Sequence, residues 1–450
     1  SIWFKLAQND SSSNNYYRLF VTGADGSNRT DLNIVKPDAD VDSNDLAGRL
    51  YFSHLVSGSN YSWRTTRQFR DMSAFYHLVV AYDTTQASAS DRVKIYVNGA
   101  QETALSASAT IPQNTDLFFG NNSSAHHIGN SPHYSPRFFQ GYMSHFAYVD
   151  GTALTPTSFG ETDSTSGIWK FKAPSGVTWG NNGVHLKFEN SANLGLDSSG
   201  NSHNFTVNGN LKQSISTPSN IYNTFNPQDF GDSGGTDICV AGTGNTYITS
   251  ATSNAWRGIH GQLGINTGKW YYEVKVSGSD NDTGYVIGWC DFAYNTDDNP
   301  NSGSPNAKMY GRQNTYLYHA SGYTASFFPA VSSGDILMVA FDMDNGKLWM
   351  GQNGTWHNTN GSAGNTSYSS TTLNPSYPDA TGITVSARVG YYTPSCLIYN
   401  DGFAEFNFGE GRFNLTAISS AGSNGNGSSF EYDVPSGFYA LNSKNLNTYG

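Results

Sequence analysis

Cysteine is nearly absent: Cys239, Cys290 and Cys396 are the only three in 450 residues, an odd number without metal-site spacing. A disulfide framework or a Cys-ligated zinc site is therefore not indicated. Cys290, within VIGWCD, reads as a buried strand thiol. Charged residues are also scarce, at 13%, and Glu occurs only at Glu102, Glu161, Glu189, Glu273, Glu405, Glu410 and Glu431. Periodic Ala/Leu/Glu/Lys runs are missing, so helix is expected to be sparse. Lys and Arg number 24 against 35 Asp and Glu, and the net charge of −11 repels phosphate backbones and anionic lipid. Nucleic acid is therefore not an expected partner. No apolar run reaches the length of a membrane span, so a membrane is not one either. No signal peptide opens the chain. Since Ser1 is no initiator and Ile2 to Leu6 reads as a strand already under way, the sequence is expected to be a piece of a longer protein.

What the chain has instead is 14% aromatic residues and 48 Gly against 15 Pro. This composition predicts many short strands joined by Gly, Asn and Ser turns, and the length suits two domains with separate cores. The clearest local signal is Gly334 to Trp356, GDILMVAFDMDNGKLWMGQNGTW. Ile336 to Phe341 is an apolar strand, Asp344-Asn345-Gly346 predicts a two-residue hairpin turn with positive φ angles, and Lys347 to Gly351 runs back.

This hairpin lies in an ordered set. Gly268-Lys269-Trp270-Tyr271-Tyr272-Glu273-Val274 and then Gly284-Tyr285-Val286-Ile287-Gly288-Trp289 come before it, and Phe406-Asn407-Phe408-Gly409 comes after it. The set resembles the core of a SPRY domain. That resemblance implies a bent antiparallel sandwich used as a binding platform. Earlier in the chain, SIWFK, FYHLVVAYDTT, DRVKIYVNG, HIGN and FFQGYMSHFAYVDGTALTPTSFGE follow one another in the order of strands of a laminin G-like or concanavalin-like lectin sandwich. Leu186 to Asn210 resembles that family's returning strand, and Asp197 to Asn201 is a turn by its residue types alone.

The expected fold is thus all-β, two antiparallel jelly-roll-like sandwiches joined by a Ser/Thr/Pro/Asn linker. The lectin-like domain takes residues 1–212, the linker 213–235 and the SPRY-like domain 236–418. A Gly/Ser tract and C-terminal tail complete 419–450. Val434 to Leu441 resembles the tail that follows SPRY modules in marine phage proteins. The order of lectin-like sandwich, linker and SPRY resembles the large virion proteins of those phages.

No catalytic set is expected. Gly231-Asp232-Ser233-Gly234-Gly235 matches the serine-protease string and the G-x-S-x-G elbow, and His126 and Asp150 precede Ser233. Ser233, however, lies in the linker, with no strand before it and no helix after it. A glucanase of concanavalin type would carry E-x-D-x-x-E on one strand, and the seven Glu provide no such string. Calcium is the one cofactor considered. Asp38, Asp40, Asp42 and Asp45 alternate as in a calcium loop but lack its central Gly and closing Glu, so a solvated acidic loop is the competing reading. Asn295 to Asn299 form a second acidic loop. His126, His127 and His133 lack a Cys or acid partner and read as turn residues.

Sugars bind to aromatic faces with amides and carboxylates nearby. The loop aromatics Tyr16, Tyr17, Tyr61, Trp63, Tyr391 and Tyr392 are the candidate ligand contacts, with core packing as the alternative for each. The resemblance implies a non-enzymatic, extracellular virion protein: a tail fibre, spike or capsid decoration. Its expected partners are a host-surface glycan or receptor, other virion proteins, and further copies of itself. A secreted polysaccharide-active enzyme or its binding module, and a cell-surface adhesin or filament subunit, are the alternatives.

Overall fold

The computed structural model describes residues 1–7, 16–36, 47–120, 124–133, 138–227, 239–250, 256–276, 284–291, 307–311, 316–319, 322–324, 330–357, 370–376, 378–379, 390–399 and 402–450. The all-β expectation is borne out. The described residues are mainly strands and turns, with short 3-10 turns and Ser443–Tyr449 as their one α-helix. One compact unit runs from the first strand to Ser219, the other from Asn220 to Gly450.

Beside two two-stranded sheets, the first unit is built around two large antiparallel ones. In one, the strand order is Gly141–Ser144, Ile2–Leu6, Tyr76–Tyr82, Val93–Val97, Ala100–Gln101; in the other it is His126–Ile128, Tyr16–Asp25, Asn28–Val35, Arg49–Val56, Ser59–Gln68, Leu105–Ala107. Alternate side chains point to one face of a strand, and Phe4, Leu78 and Ile95 of the first sheet meet Ile34, Leu50 and Phe52 of the second in a shared core. The turn at Asn98-Gly99 is the expected two-residue form, with φ of 48° and 81° between the paired Val97 and Ala100.

The far face of the six-stranded sheet is also buried, and it is polar. Arg18 and Arg29 converge on Asp31 at 3.5 and 2.5 Å, and Arg18 Nη1 donates to Asn33 Oδ1 at 2.8 Å. Buried charges persist only when partnered in this way.

The second unit repeats the plan. An eight-stranded sheet contains, in order, Cys239–Gly242, Tyr247–Ser250, Phe403–Asn407, Lys269–Val276, Ile336–Asp342, Lys347–Gln352 and Thr355–Trp356, with Tyr439–Ala440 added parallel to Lys269–Val276. Against it lies a six-stranded sheet led by Trp256–His260, Tyr392–Tyr399 and Gly284–Asp291. Trp270, Tyr272 and Phe341 from one sheet and Ile287, Trp289 and Ile398 from the other fill the core. The hairpin at Gly334 to Trp356 forms, but its turn departs from the expected two-residue type. Asp342 pairs with Lys347, leaving four residues in the loop, and only Gly346 among them has positive φ. The cause is the Asp342 carboxylate, which accepts from Asn345 N and Nδ2 at 3.0 and 2.9 Å and so favours a wider turn.

Two segments that composition assigns to linker and tail are part of this second sandwich. Tyr222 and Phe225 are buried, at 2% and 0% exposure. Phe225 packs its ring 4.5 Å from Phe406 and 5.7 Å from Phe408, and Tyr222 Oη lies 2.9 Å from Ser428 Oγ. The backbone can be buried there because Asn223 N donates to Leu441 O and Phe225 N to Asn245 O.

At the other end, Phe430, Val434, Phe438 and Ala440 cover Tyr271, Met338, Trp349 and Trp356 on the face of the eight-stranded sheet turned away from the main core. One carboxylate ties this segment down. Glu273, fully buried, accepts from Glu431 N at 2.8 Å, Tyr432 N at 2.9 Å and Tyr271 Oη at 2.9 Å, with Asn407 Nδ2 at 3.4 Å.

Two predictions follow from this packing. Phe225→Ala is expected to cost the second unit about 3–5 kcal/mol in chemical denaturation, the range for an aromatic removed from a core; a linker residue would cost about 0.5 kcal/mol or less. The second concerns Glu273. Burial outweighs its four donors and raises its pKa from 4.5 to about 7. Between those values the folded unit holds a proton that the unfolded chain has lost, so the Glu273 contribution is fully present below about 4.5 and disappears as pH rises through about 7. Asp379, raised by burial to about 6 although His357 Nδ1 lies 2.6 Å away, adds a decline of the same sign. Unfolding midpoints measured across this range should fall with pH in the wild type and fall less steeply in Glu273→Gln. Identical slopes would show that the carboxyl does not titrate there.

Candidate functional site

The first sandwich has a cleft of about 480 Å3 where three chain segments meet. One wall begins as Tyr76–Tyr82 leaves its sheet. At the turn that follows, Asp83 Oδ1 accepts from Thr85 N and Oγ1 at 3.1 and 2.6 Å, and Oδ2 accepts from Gln86 Nε2 at 2.6 Å. The Thr85 hydroxyl, the Gln86 amide and the Thr85 backbone hold the Asp83 carboxyl below its usual range, so it remains an anion.

The second wall, around 112–116, is braced to the first. Thr84 Oγ1 donates to Thr115 O at 2.8 Å, Asn114 N to Thr84 O at 2.9 Å, and Gln113 Nε2 to Thr85 O at 2.8 Å. The third wall is the segment from Ala147 to Leu154. There Asp150 N donates to Trp179 O at 2.9 Å, and Asp150 Oδ2 accepts from Asn182 N and Nδ2 at 3.1 and 3.0 Å.

Val79, Leu117, Phe119, Ala147 and Phe159 give the cleft a buried apolar lining. Tyr82 and Tyr148, both half-buried, join the walls through hydroxyls 3.0 Å apart. Burial first, and then the other tyrosine, raise Tyr82; burial and the nearby Asp150 raise Tyr148. Both stay protonated near neutral pH and can donate as well as accept. Gly120, at φ +77°, is required here, because a β-carbon would run into the Tyr148 hydroxyl. A cleft of this size, with an apolar floor and a few fixed polar groups, has the features of a ligand site.

None of the six aromatics proposed as ligand contacts lines this cleft. Tyr17, Trp63 and Tyr392 are core residues with 1%, 9% and 3% exposure, and Trp63 stacks on Phe52 at 5.4 Å. Their rings pack inward because each falls on the core-facing side of a strand. Tyr61 packs partly against the same core and stacks near His54. Tyr16 is half-buried beside Tyr51 and under the Arg18 guanidinium, and Tyr391 alone is well exposed.

Asp38, Asp40, Asp42 and Asp45, considered for calcium, lie outside the described residues, as do Asn295 to Asn299 and Ser233. Among the described residues no three His, Cys, Asp or Glu side chains are placed to hold a metal. His126 uses Nε2 to accept the Gly120 N–H at 3.0 Å, and Asp150 anchors Asn182; both have structural partners. The residues that sequence reasoning missed, Tyr82-Asp83-Thr84-Thr85 and Tyr148-Val149-Asp150-Gly151, lie inside two quoted family motifs. Each motif ends a strand with an aromatic and an acid, and that pairing was the available signal.

Residues 1–159 match the concanavalin A-like lectin/glucanases superfamily, and residues 269–375 match the SPRY domain. The two matches stand in tandem, the concanavalin-like one first and the SPRY one second. All the residues that line the cleft fall inside the lectin-like match. Among solved structures, the SPRY domain of human HERC1 is similar at 15% identity and a TM-score of 0.29, over 40% of this chain and 96% of that one. No curated protein matches the chain.

The fit of Gly120 against Tyr148 in the lectin-like sandwich can be tested by a double-mutant cycle. Gly120→Ala should destabilise it by about 1–3 kcal/mol. In a Tyr148→Phe background, without the hydroxyl, the same change should cost at least about 0.5 kcal/mol less. Additive effects in thermal unfolding would mean that the two residues do not press on each other.

Proposed function

We propose that the protein is a non-enzymatic virion component, a tail fibre, spike or capsid decoration displayed outside the cell, which binds a host-surface glycan through its lectin-like sandwich. The braced cleft beside Tyr82 and Tyr148 is the observation that carries the binding role. Its apolar floor can face the C–H surface of a sugar, while hydroxyls and carboxylates at its walls can meet the sugar's hydroxyls. Binding without cleavage fits the engagement of Asp83, both of whose oxygens are already held by Thr85 and Gln86. A general acid or base needs an oxygen within reach of the scissile bond.

The virion assignment draws on the resemblance of the tandem, together with its PSGFYAL tail, to large phage structural proteins. Neighbouring virion proteins and further copies of the chain are the partners for the SPRY sandwich in this reading, since that family's fold acts as a binding platform. Calcium at Asp38, Asp40 and Asp42 belongs to the same proposal and would show as a chelator-sensitive loss of binding.

Mass spectrometry of density-purified particles tests the assignment. A fixed ratio of these peptides to a capsid or tail protein is the expected result. Peptides confined to the soluble secreted fraction would overturn the virion role and favour a polysaccharide-active protein.

A further inference from the structure

Resting on that reading of the cleft as a glycan site, we infer that its ligand is an amine-bearing sugar, held as the ammonium form. The lining residues include Asp83, Asp116 and Asp150 but no Lys, Arg or His. Three carboxylates and no basic side chain give the walls of the cleft a negative potential. The chain's net charge of −11 acts in the same direction at longer range and opposes any sulfated or carboxylated glycan.

The carboxylates differ in how much capacity they have left. Asp83 has both oxygens occupied by Thr85 and Gln86, and Asp150 has one occupied by Asn182. Asp116 is exposed and neither of its oxygens is held by a described residue. An ammonium group supplies the donors that Asp116 and the remaining Asp150 oxygen lack.

The tyrosine pair is a second observation that points to a ligand. When one hydroxyl donates to the other across 3.0 Å, the second hydroxyl keeps its own proton. Both tyrosines line the cleft, so a sugar hydroxyl there can accept that proton. The apolar floor of Val79, Leu117, Phe119 and Phe159 suits the carbon skeleton of a sugar better than a solvated metal ion. The walls are pre-braced through Thr84, Asn114 and Gln113, so little ordering is needed on binding.

Isothermal titration of the whole chain with a fully deacetylated chitosan trisaccharide, its N-acetylated counterpart and a lysine-rich peptide tests the inference. The amine trisaccharide should bind, with affinity that falls as salt rises. The acetylated trisaccharide should bind about tenfold more weakly. Asp116→Asn should weaken the amine ligand about tenfold while leaving the unfolding temperature unchanged. Thr152→Lys, which places a cation at the exposed rim, should weaken it further. Equal binding of both trisaccharides, insensitive to Asp116→Asn, would overturn the amine assignment and leave glycan binding in the cleft standing. Failure of both trisaccharides to bind would overturn the glycan reading as well. Equally tight binding of the peptide, with the same dependence on Asp116, would show that the cleft selects charge and not sugar.

Discussion

A carboxylate at the centre of a sheet must be met by donors if it is to stay there, and Glu273 is where this requirement shapes the second sandwich. Along Lys269 to Val276 the even positions Trp270, Tyr272 and Val274 point into the main core, and the odd positions Tyr271 and Glu273 point away from it. An ordinary sandwich would leave that second face to water, and Glu273 would be hydrated. Here the backbone N–H groups of Glu431 and Tyr432 come to the carboxylate instead, and Phe430, Val434 and Phe438 follow onto Tyr271, Trp349 and Trp356. The closing segment is therefore part of the fold. Its apolar burial supplies most of the stabilisation, at about 1.5–3 kcal/mol for each large side chain. The carboxylate fixes the register at which that burial occurs.

The first sandwich shows the same rule with a different set of residues. On the far face of its six-stranded sheet, Arg18 and Arg29 meet Asp31 while Asn33 accepts from Arg18, and the cluster is almost wholly buried. A sheet covered on both faces no longer reads as apolar inside and polar outside. That is the physical reason the sequence was only partly legible. Strand identity and order could be read, because the motifs around Trp270, Trp289 and Phe406 and the Asn98-Gly99 turn are local. Whether an aromatic faces core or solvent could not. Tyr17 follows a Ser/Asn run and Trp63 sits in a loop-like string, yet the pleat sends both inward. Tyr222 and Phe225 looked like linker residues because their partners, Ser428 and Phe406, are far away in sequence.

The cleft was hidden for a related reason. Tyr82 and Tyr148 are 66 residues apart and meet only because two strands end side by side. Their motifs, YDTT and YVDG, mark a family, and each also places an acid close to an aromatic. Asp83 and Asp150 have the same role in each: a carboxylate that turns the chain by accepting from residues just beyond the strand or across the loop. A family motif can mark a fold because it solves a local backbone problem. The same solution leaves an acid and an aromatic side by side at the sheet's end.

Placing the binding groups there has an energetic consequence. Loops that bind glycans in isolation lose conformational freedom when they close on a ligand, and that loss subtracts from affinity. In this sandwich the loss is taken largely at folding, because Thr84, Gln113 and Asn114 already join the two loops. Rigid walls also limit what can be accommodated. Asp83 cannot turn toward a ligand without giving up Thr85 and Gln86, so selectivity falls to Asp116, to the open oxygen of Asp150 and to the tyrosine hydroxyls. Asp83, Asp116 and Asp150 line the cleft without a basic side chain beside them, so in the proposed reading the sign of the ligand's charge decides what the cleft accepts.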